Sequence, residues 1–209
     1  MDLAELGRAS AMDAEFRGDM VRSGFVKMFM DGVVDSRTAY MLNDYPGVPG
    51  HKGDPLFEGE RFKAICTEID KRGLQIAVHA IGDGAVRATI DGYEAAGQAN
   101  GLRDMRHRIE HIELIDRADV PRLGDLGITA SVQPPHPPGV MDFPISTMET
   151  VYHRDRWRDA YLWKTLKDHG APVAYASDWP VTDVSVMRGL QAALTRAPYD
   201  GCSDERLTL

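Results

Sequence analysis

The sequence predicts an α/β fold built on a parallel sheet, and two observations lead to that prediction. Short apolar runs alternate along the chain with longer amphipathic segments, which is the pattern of repeated βα units. Strands joined by a helix pair in parallel and leave the helices outside the sheet. The predicted strands are Gly24–Met30, Leu74–His79, Arg106–Ile112, Ile128–Gln133 and Pro172–Ser177.

The segments between these strands have helical spacing. After the first strand, Phe62, Ile65, Cys66 and Ile69 follow one another at i, i+3, i+4 and i+7, and Gly73 stands where a helix C′ residue is expected. Apolar residues predict two further helices, one through Val86, Ile90 and Tyr93 and one through Leu162, Trp163 and Leu166. Asp116 and Asp183 are suited to the N-cap position and predict the starts of two more.

Composition and charge narrow the classes of function. The 209 residues are 43% apolar and 27% charged, as in a globular domain that can bury a core. A net charge of −8 with scattered Lys and Arg argues against nucleic acid or an anionic membrane as the partner, and favours a small molecule or another protein. Two distant cysteines, Cys66 and Cys202, and the absence of a signal peptide or membrane span predict a cytoplasmic protein.

Four polar residues lie at or near the ends of the predicted strands. His79 and His111 end the second and third strands, Asp178 follows the fifth, and Lys27 lies in the first. The carboxyl ends of parallel strands share one edge, so these side chains are expected to converge there. Two imidazoles and a carboxylate suit zinc, manganese or iron(II). A buried lysine with lowered proton affinity could form a carbamate that bridges two metals.

Two long loops are expected to cover that edge. Residues 31–59 and 134–156 are rich in Gly, Pro and Asp, and each follows the carboxyl end of a predicted strand, where an α/β barrel carries its active site. Gln133, His136 and Trp179 lie beside the same edge and are candidates for substrate contacts.

Each candidate also has a purely structural interpretation. A histidine that ends a strand can be a hydrogen-bonded core or capping group. Asp178 could cap the turn that follows it, and Lys27 could extend its ammonium to solvent. Gln133, His136 and Trp179 could equally serve loop hydrogen bonding and packing. The combination of His, His and Asp at successive strand ends, with Lys27 upstream, favours the functional interpretation.

The stretch "RHRIEHIEL" contains more than one candidate group. Strand alternation places His107 on the same face as His111 but roughly 13 Å away, so the two are not expected to share a metal. His107 is expected to pack or hydrogen-bond deeper inside the barrel. Glu110 is expected on the opposite face, bonded to the helix layer.

Five blocks of the sequence together resemble one known family. The blocks "FVKMFMDGVVDSRTA", "QIAVHAIGDGAV", "RHRIEHIEL", "ITASVQPPHP" and "YASDWPVTD" are similar, in order and spacing, to the strand-end motifs of the amidohydrolase superfamily, family 3 branch. The resemblance runs from about residue 19 to the end. It implies a TIM-type (β/α) barrel hydrolase with one or two divalent metals, acting on amide, N-acyl or N-formyl carbon–nitrogen bonds other than peptide bonds.

The same resemblance implies roles for the four strand-end residues. Lys27 would be a carbamylated bridging ligand, His79 and His111 metal ligands, and Asp178 both a ligand and the group that handles the proton of a metal-activated hydroxide. Zinc is the favoured metal. A deaminase or lactonase on the same scaffold, or a catalytically silent barrel that serves as a scaffold or interaction protein, remain alternatives.

The chain also departs from the family pattern. It has no His-x-His pair, which the family carries on its first strand, and its five predicted strands fall short of a full barrel of about 250 residues. Residues 1–209 are therefore expected to be one partial barrel domain, strands four to eight of a longer enzyme, without the N-terminal strands and a C-terminal β domain. Asp35 replaces a glycine in the variant motif DGxxGSRTA.

That expectation carries two consequences for the chain on its own. The segment alone is expected to bind metal weakly and to turn over little substrate, because ligands of the family pattern are missing. Its exposed strand edges and uncovered apolar surface predict that it either self-associates, for example as a homo-oligomer, or aggregates.

Overall fold

Five parallel strands form one sheet in the computed structural model, which describes residues 3–141 and 143–196. The strands lie side by side in chain order, each paired in parallel with the next. They are β1 (Phe25–Phe29), β2 (Gln75–Ala80), β3 (Arg108–His111), β4 (Thr129–Val132) and β5 (Val173–Tyr175). Each coincides with a predicted strand to within a few residues, so the predicted α/β fold, here part of a barrel, is confirmed.

Helices lie before, between and after the strands, and several of them pack against the sheet. They are α1 (Leu3–Glu15), α2 (Gly59–Lys71), α3 (Asp83–Asn100), α4 (Val120–Asp125), α5 (Ser146–Val151), a 3₁₀ helix (Arg154–Asp159), α6 (Trp163–Asp168) and α7 (Val186–Thr195). Gly73 adopts a φ of 75° just after α2, as its predicted C′ position requires. Cys66 is buried, whereas Cys202 lies outside the described residues. None of the described helices is long and apolar enough to cross a bilayer.

The two faces of the sheet have different environments. In β1, Val26 and Met28 are buried against the helix layer, while Phe25, Lys27 and Phe29 alternate with them and are exposed. Burial of such aliphatic side chains contributes about 1.5–3 kcal/mol each, so the core lies between the sheet and its helices. We call the other side, which carries Phe25, Lys27, Phe29 and the residues in register with them, the open face.

Two predicted helix caps are wrong. Asp116 lies four residues before α4 begins at Val120, so it is not the cap of that helix. Before α7 the cap is Ser185, whose hydroxyl accepts a hydrogen bond from the backbone N–H of Arg188. The carboxylate of Asp183 instead pairs with the guanidinium of Arg188 at 2.8 Å. Serine and aspartate are equally suited to an N-cap, so composition alone could not separate them.

His107 faces the helix layer and lies just before β3. Its Nδ1 accepts a hydrogen bond from the backbone N–H of Ile76 at 3.1 Å, so Nε2 carries the proton and donates to Asp70 at 3.1 Å. Its ring lies 5.1 Å from the ring of Tyr93 on α3. The expectation that His107 lies inside the barrel is therefore wrong, because the residue precedes the strand and turns toward the helices.

The environment of His107 predicts a loss of stability in acid. Burial lowers the pKa of His107, and Asp70 opposes this only in part. The folded imidazole therefore stays neutral while the unfolded one takes up a proton below about pH 6.5, so the free energy of unfolding falls as the pH drops. We expect His107→Gln to be less stable than wild type at pH 7.5, with the difference narrowing toward pH 5 in urea denaturation.

A matched control separates this effect from a general loss of stability. His169 is exposed, and its ring Nδ1 lies 2.8 Å from the carbonyl oxygen of Thr165. The stability of His169→Gln should stay close to that of wild type throughout the same pH range. A constant gap between wild type and His107→Gln at all pH values would contradict the prediction.

Candidate metal centre

A cavity of about 450 Å³ lies at the carboxyl edge of the sheet. Its wall is formed by the strand ends, the loop after β1 and the loop after β4, as expected for a barrel segment. Of the residues predicted for the site, the structure brings five together in this wall: Lys27, His79, His111, His136 and Asp178. A volume of this size is typical of small-molecule sites.

Three of these residues form a compact set of possible ligands. One ligand atom each of His111, His136 and Asp178 lies within 4.8 Å of the other two. The two imidazole rings stack with centroids 5.7 Å apart, and Nε2 of His136 is 3.9 Å from a carboxylate oxygen of Asp178. Within the part of the chain that the structure describes, Nδ1 of His111 and Nε2 of His136 are buried without a hydrogen-bond partner. Buried polar atoms are rarely left unpaired, so this donor set fits a divalent cation.

His111 reaches this cluster through an unusual backbone conformation. In the sheet it is in register with Ala80, whose position faces the helices. Its φ of 80° lies in the left-handed region and turns the side chain into the cavity instead, at a cost of order 1–3 kcal/mol. Burial, followed by the neighbouring His79 and His136, lowers the pKa of His111 to about 2. The imidazole is therefore neutral, which is the form that binds metals.

His79 lies beside the cluster without joining it. Its ring is 4.5 Å from the ring of His111, measured between centroids. Its Nε2 lies 2.8 Å from the carbonyl oxygen of Gly32 and must donate to it, which leaves the lone pair on Nδ1. Burial lowers the pKa of His79 as well. The neutral ring thus keeps one nitrogen available as a ligand.

Asp31 supports His79 and was not singled out from the sequence. It follows β1, is 2% exposed and lies 3.6 Å from Nε2 of His79. Its carboxylate accepts the backbone N–H groups of Tyr40, Ile81 and Gly82 at 2.9–3.1 Å. Burial raises the pKa of Asp31 to about 7 against the effect of these donors. The residue ties the loop after β1 to the end of β2.

Lys27 lies on the open face, and its Nζ is 5.2 Å from the ring centroid of Phe29. Its side chain is only partly removed from water, and this partial burial lowers the pKa of Lys27, whereas the charge of Glu110 opposes the shift. Glu110 is in register with His79 and also lies on the open face, where it pairs with Arg108 at 2.6 Å. The expectation that Glu110 faces the helices is therefore wrong, because His111 enters the cavity by its backbone turn rather than by strand alternation.

Glu113 and Tyr161 form a hydrogen-bonded pair in the cavity wall. Glu113 is 7% exposed, and one carboxylate oxygen accepts the hydroxyl of Tyr161 at 3.1 Å. The other oxygen lies 3.7 Å from Nδ1 of His136. Burial raises the pKa of Tyr161, so this hydroxyl stays protonated as a donor. Glu113 was not singled out from the sequence, where the one signal for it is a carboxylate two residues after His111.

Two predicted substrate contacts lie outside the cavity wall. Gln133 is 3% exposed, its Nε2 donates to the Ser131 carbonyl at 3.4 Å, and its Oε1 has no hydrogen-bond partner among the described residues. Trp179 is 67% exposed. Their contact with a substrate stays a prediction, whereas His136 lies in the wall beside the possible ligands.

Comparison with known proteins shows which family the chain resembles. The amidohydrolase family model matches residues 4–209. The chain is 36% identical over 175 residues to Protein LONG AFTER FAR-RED 3 of Arabidopsis thaliana, covering 84% of this chain and 30% of that protein. It is 30% identical over 182 residues to the putative amidohydrolase YtcJ of Bacillus subtilis (strain 168), covering 86% and 32%. N-substituted formamide deformylase of Arthrobacter pascens is 24% identical over 213 residues, covering 99% and 38%.

Solved structures show the same fold. An uncharacterized metal-dependent hydrolase from Pyrococcus horikoshii OT3 matches with a TM-score of 0.75 and 27% identity, over 91% of this chain and 38% of that one. A second, from Pyrococcus furiosus, matches with a TM-score of 0.75, 26% identity and the same coverage. The chain spans about a third of the length of these relatives. The predicted resemblance is confirmed: the chain belongs to the amidohydrolase family.

Proposed function

We propose that this chain supplies the metal centre of a hydrolase that cleaves carbon–nitrogen bonds other than peptide bonds, of the amide, N-acyl or N-formyl type. One observation supports the proposal: two buried imidazole nitrogens, on His111 and His136, have no hydrogen-bond partner among the described residues and lie beside Asp178. Family membership and the name of a relative, N-substituted formamide deformylase, support the bond type.

The residues present fit a divalent ion, and zinc suits two imidazoles and a carboxylate. We assign His111, His136 and Asp178 to hold one ion. His79, and Lys27 as a carbamate, are the residues we assign to a second. A bound ion would supply a nucleophile from water near neutral pH and polarise the substrate carbonyl.

The protein's own groups would orient the substrate and move the proton. The side chain of Asp178 is 40% exposed and lines the cavity, so it reaches both solvent and substrate. A carboxylate in this position can take the proton of the attacking water and deliver it to the leaving nitrogen. Phe29, Phe143 and Val181 line the same cavity and would pack against the apolar part of a substrate.

A metal-dependent assay of the natural polypeptide that carries these residues tests the proposal. The panel contains N-formyl, N-acyl, hydantoin-like and lactone substrates of matched size. We expect hydrolysis of the N-formyl or N-acyl compounds, its loss with a chelator and its return with zinc. Hydrolysis of lactones or release of ammonia alone would favour the lactonase or deaminase alternative, and absence of bound metal would contradict the proposal.

Three expectations belong to this proposal and stay predictions. We place the protein in the cytoplasm, on its low cysteine content. The 209 residues alone are expected to turn over little substrate. The open face and the edges of β1 and β5 are expected to promote association between copies, which ultracentrifugation would measure.

A further inference from the structure

We propose that the substrate carries a positively charged nitrogen group, an ammonium or an amidinium, which Glu113 and Asp35 bind inside the cavity. The inference rests on the proposed function, because it assigns the substrate class of the same cavity. His136 divides the cavity wall into two parts: its Nε2 faces Asp178 at 3.9 Å and its Nδ1 faces Glu113 at 3.7 Å. The cationic group would lie on the Glu113 side and the reacting bond on the Asp178 side.

Glu113 has an oxygen available for such a group. The side chain is nine-tenths buried and lines the cavity. Tyr161 donates a hydrogen bond to one oxygen, while the other lies beyond hydrogen-bond distance of His136 Nδ1. An ionised carboxylate can accept about four hydrogen bonds, so Glu113 offers acceptor sites to a donor in the cavity.

Asp35 contributes a second carboxylate from the loop after β1. It lines the same cavity, and burial, followed by the charge of Glu113, raises the pKa of Asp35, with a smaller opposing effect from Thr147. Both acids therefore line one cavity, where the charge of Glu113 opposes the ionisation of Asp35. A cation bound in the same cavity would offset that repulsion and donate charge-assisted hydrogen bonds to the acids.

The other charges of the wall favour the same class of substrate. Asp35, Glu113 and Asp178 provide three carboxylates, while Lys27 is the sole cation in the described part of the wall. That part contains no arginine, the residue best suited to bind a substrate carboxylate. A carbamate on Lys27 would make the site more negative. Divalent ions bound in the site would offset Asp178 and the carbamate, which leaves Asp35 and Glu113 as the uncompensated acids that disfavour an anionic group on their side of the cavity.

Apolar side chains in the cavity wall indicate that the substrate also has an apolar part. Val33, Val34, Pro138 and Phe143 line the cavity together with Asp35 and Glu113. Hydrocarbon placed against these side chains would be removed from water, whereas its cationic end would pair with the acids. The substrate class is therefore an amide with an apolar or aromatic body and a basic nitrogen.

A binding experiment without metal tests this inference. Benzylammonium, benzyl alcohol and benzoate share one apolar body and differ in charge. Isothermal titration calorimetry on the metal-free natural polypeptide should show benzylammonium binding at least about tenfold more tightly than benzyl alcohol, with benzoate weakest. Glu113→Gln and Asp35→Asn should each remove most of the preference for the ammonium. Glu149→Gln, which removes an exposed acid on the neighbouring α5, should retain it.

The outcomes separate this inference from the proposed function. Benzoate binding as tightly as benzylammonium, or an unchanged preference in the Asp35→Asn variant, would overturn the inference. Asp35 is exposed, so this variant stays informative even if Glu113→Gln fails to fold. A retained preference for ammonium in a protein that binds no metal would overturn the proposed function alone. Metal-dependent hydrolysis that favours carboxylate-bearing amides would overturn the inference alone.

Discussion

His111→Asn is expected to lower the zinc affinity of the protein by more than about 100-fold. Loss of residues that only support a metal ligand costs about 10–100-fold, and His111 is one of three groups with ligand atoms within 4.8 Å of one another. Its pKa of about 2 keeps the ring neutral, so the ligand needs no deprotonation at any ordinary pH. Competition with a chromophoric chelator would measure the affinity.

Asparagine is chosen so that the substitution leaves the backbone conformation at position 111 unchanged. His111 has a φ of 80°, and asparagine tolerates the left-handed region better than most residues, so the turn at the end of β3 should survive. His169→Asn, on the exposed end of α6, serves as the matched control. Wild-type zinc affinity in His111→Asn, with an unchanged circular dichroism spectrum, would show that the metal is held elsewhere.

The positions of the strands could be predicted because each is a short apolar run bounded by turn residues. Leu74–His79 and Ile128–Gln133, for example, each coincide with an observed strand to within one residue at either end. Parallel order followed from the helical segments between the strands. The strand positions and their parallel order depend on local patterns of apolar and turn residues, which can be read from a single sequence. The short helix α5 and the 3₁₀ helix, in a loop rich in proline and glycine, have no such pattern.

The faces of the side chains near the site could not be predicted in the same way. Alternation along β3 would send His111 and His107 to one face and Glu110 to the other. The left-handed φ of His111 breaks that alternation, so His111 and Glu110 both lie on the side away from the helices, while His107 faces them. The φ angle of His111 decides which face its side chain takes, and the residue type alone does not predict that angle.

His136 shows a second limit of reasoning from strand ends. It was predicted to contact substrate because it lies in the loop after β4, whereas the structure places its imidazole among possible metal ligands. Loop conformation is set by long-range contacts, such as the approach of Glu113 to Nδ1 of His136. The ligand set that we propose therefore differs from the strand-end set by including His136.

Asp83→Ala is expected to lower the free energy of unfolding by about 3–5 kcal/mol, which is the usual cost of removing one partner of a buried ion pair. Asp83 is 1% exposed and begins α3. One carboxylate oxygen accepts the backbone N–H of Leu42 at 2.8 Å, and the other pairs with Arg156 at 2.9 Å. The substitution leaves both donors without this acceptor. Urea denaturation followed by tryptophan fluorescence would measure the change.

A double-mutant cycle tests whether the ion pair between Asp83 and Arg156 accounts for the loss of stability. Arg156→Met should also destabilise, because it leaves Asp83 buried without its cation, but the double variant should cost clearly less than the sum of the two single changes. Asp168→Ala, which breaks an exposed pair with Lys164, should change stability by less than about 1 kcal/mol. Additive losses in the cycle would mean that Asp83 acts through Leu42 alone. Asp83 joins the loop after β1 to the 3₁₀ helix that precedes Tyr161. Tyr161 in turn donates a hydrogen bond to the carboxylate of Glu113 in the cavity. A coupled loss would therefore also link the stability of the fold to the placement of Glu113.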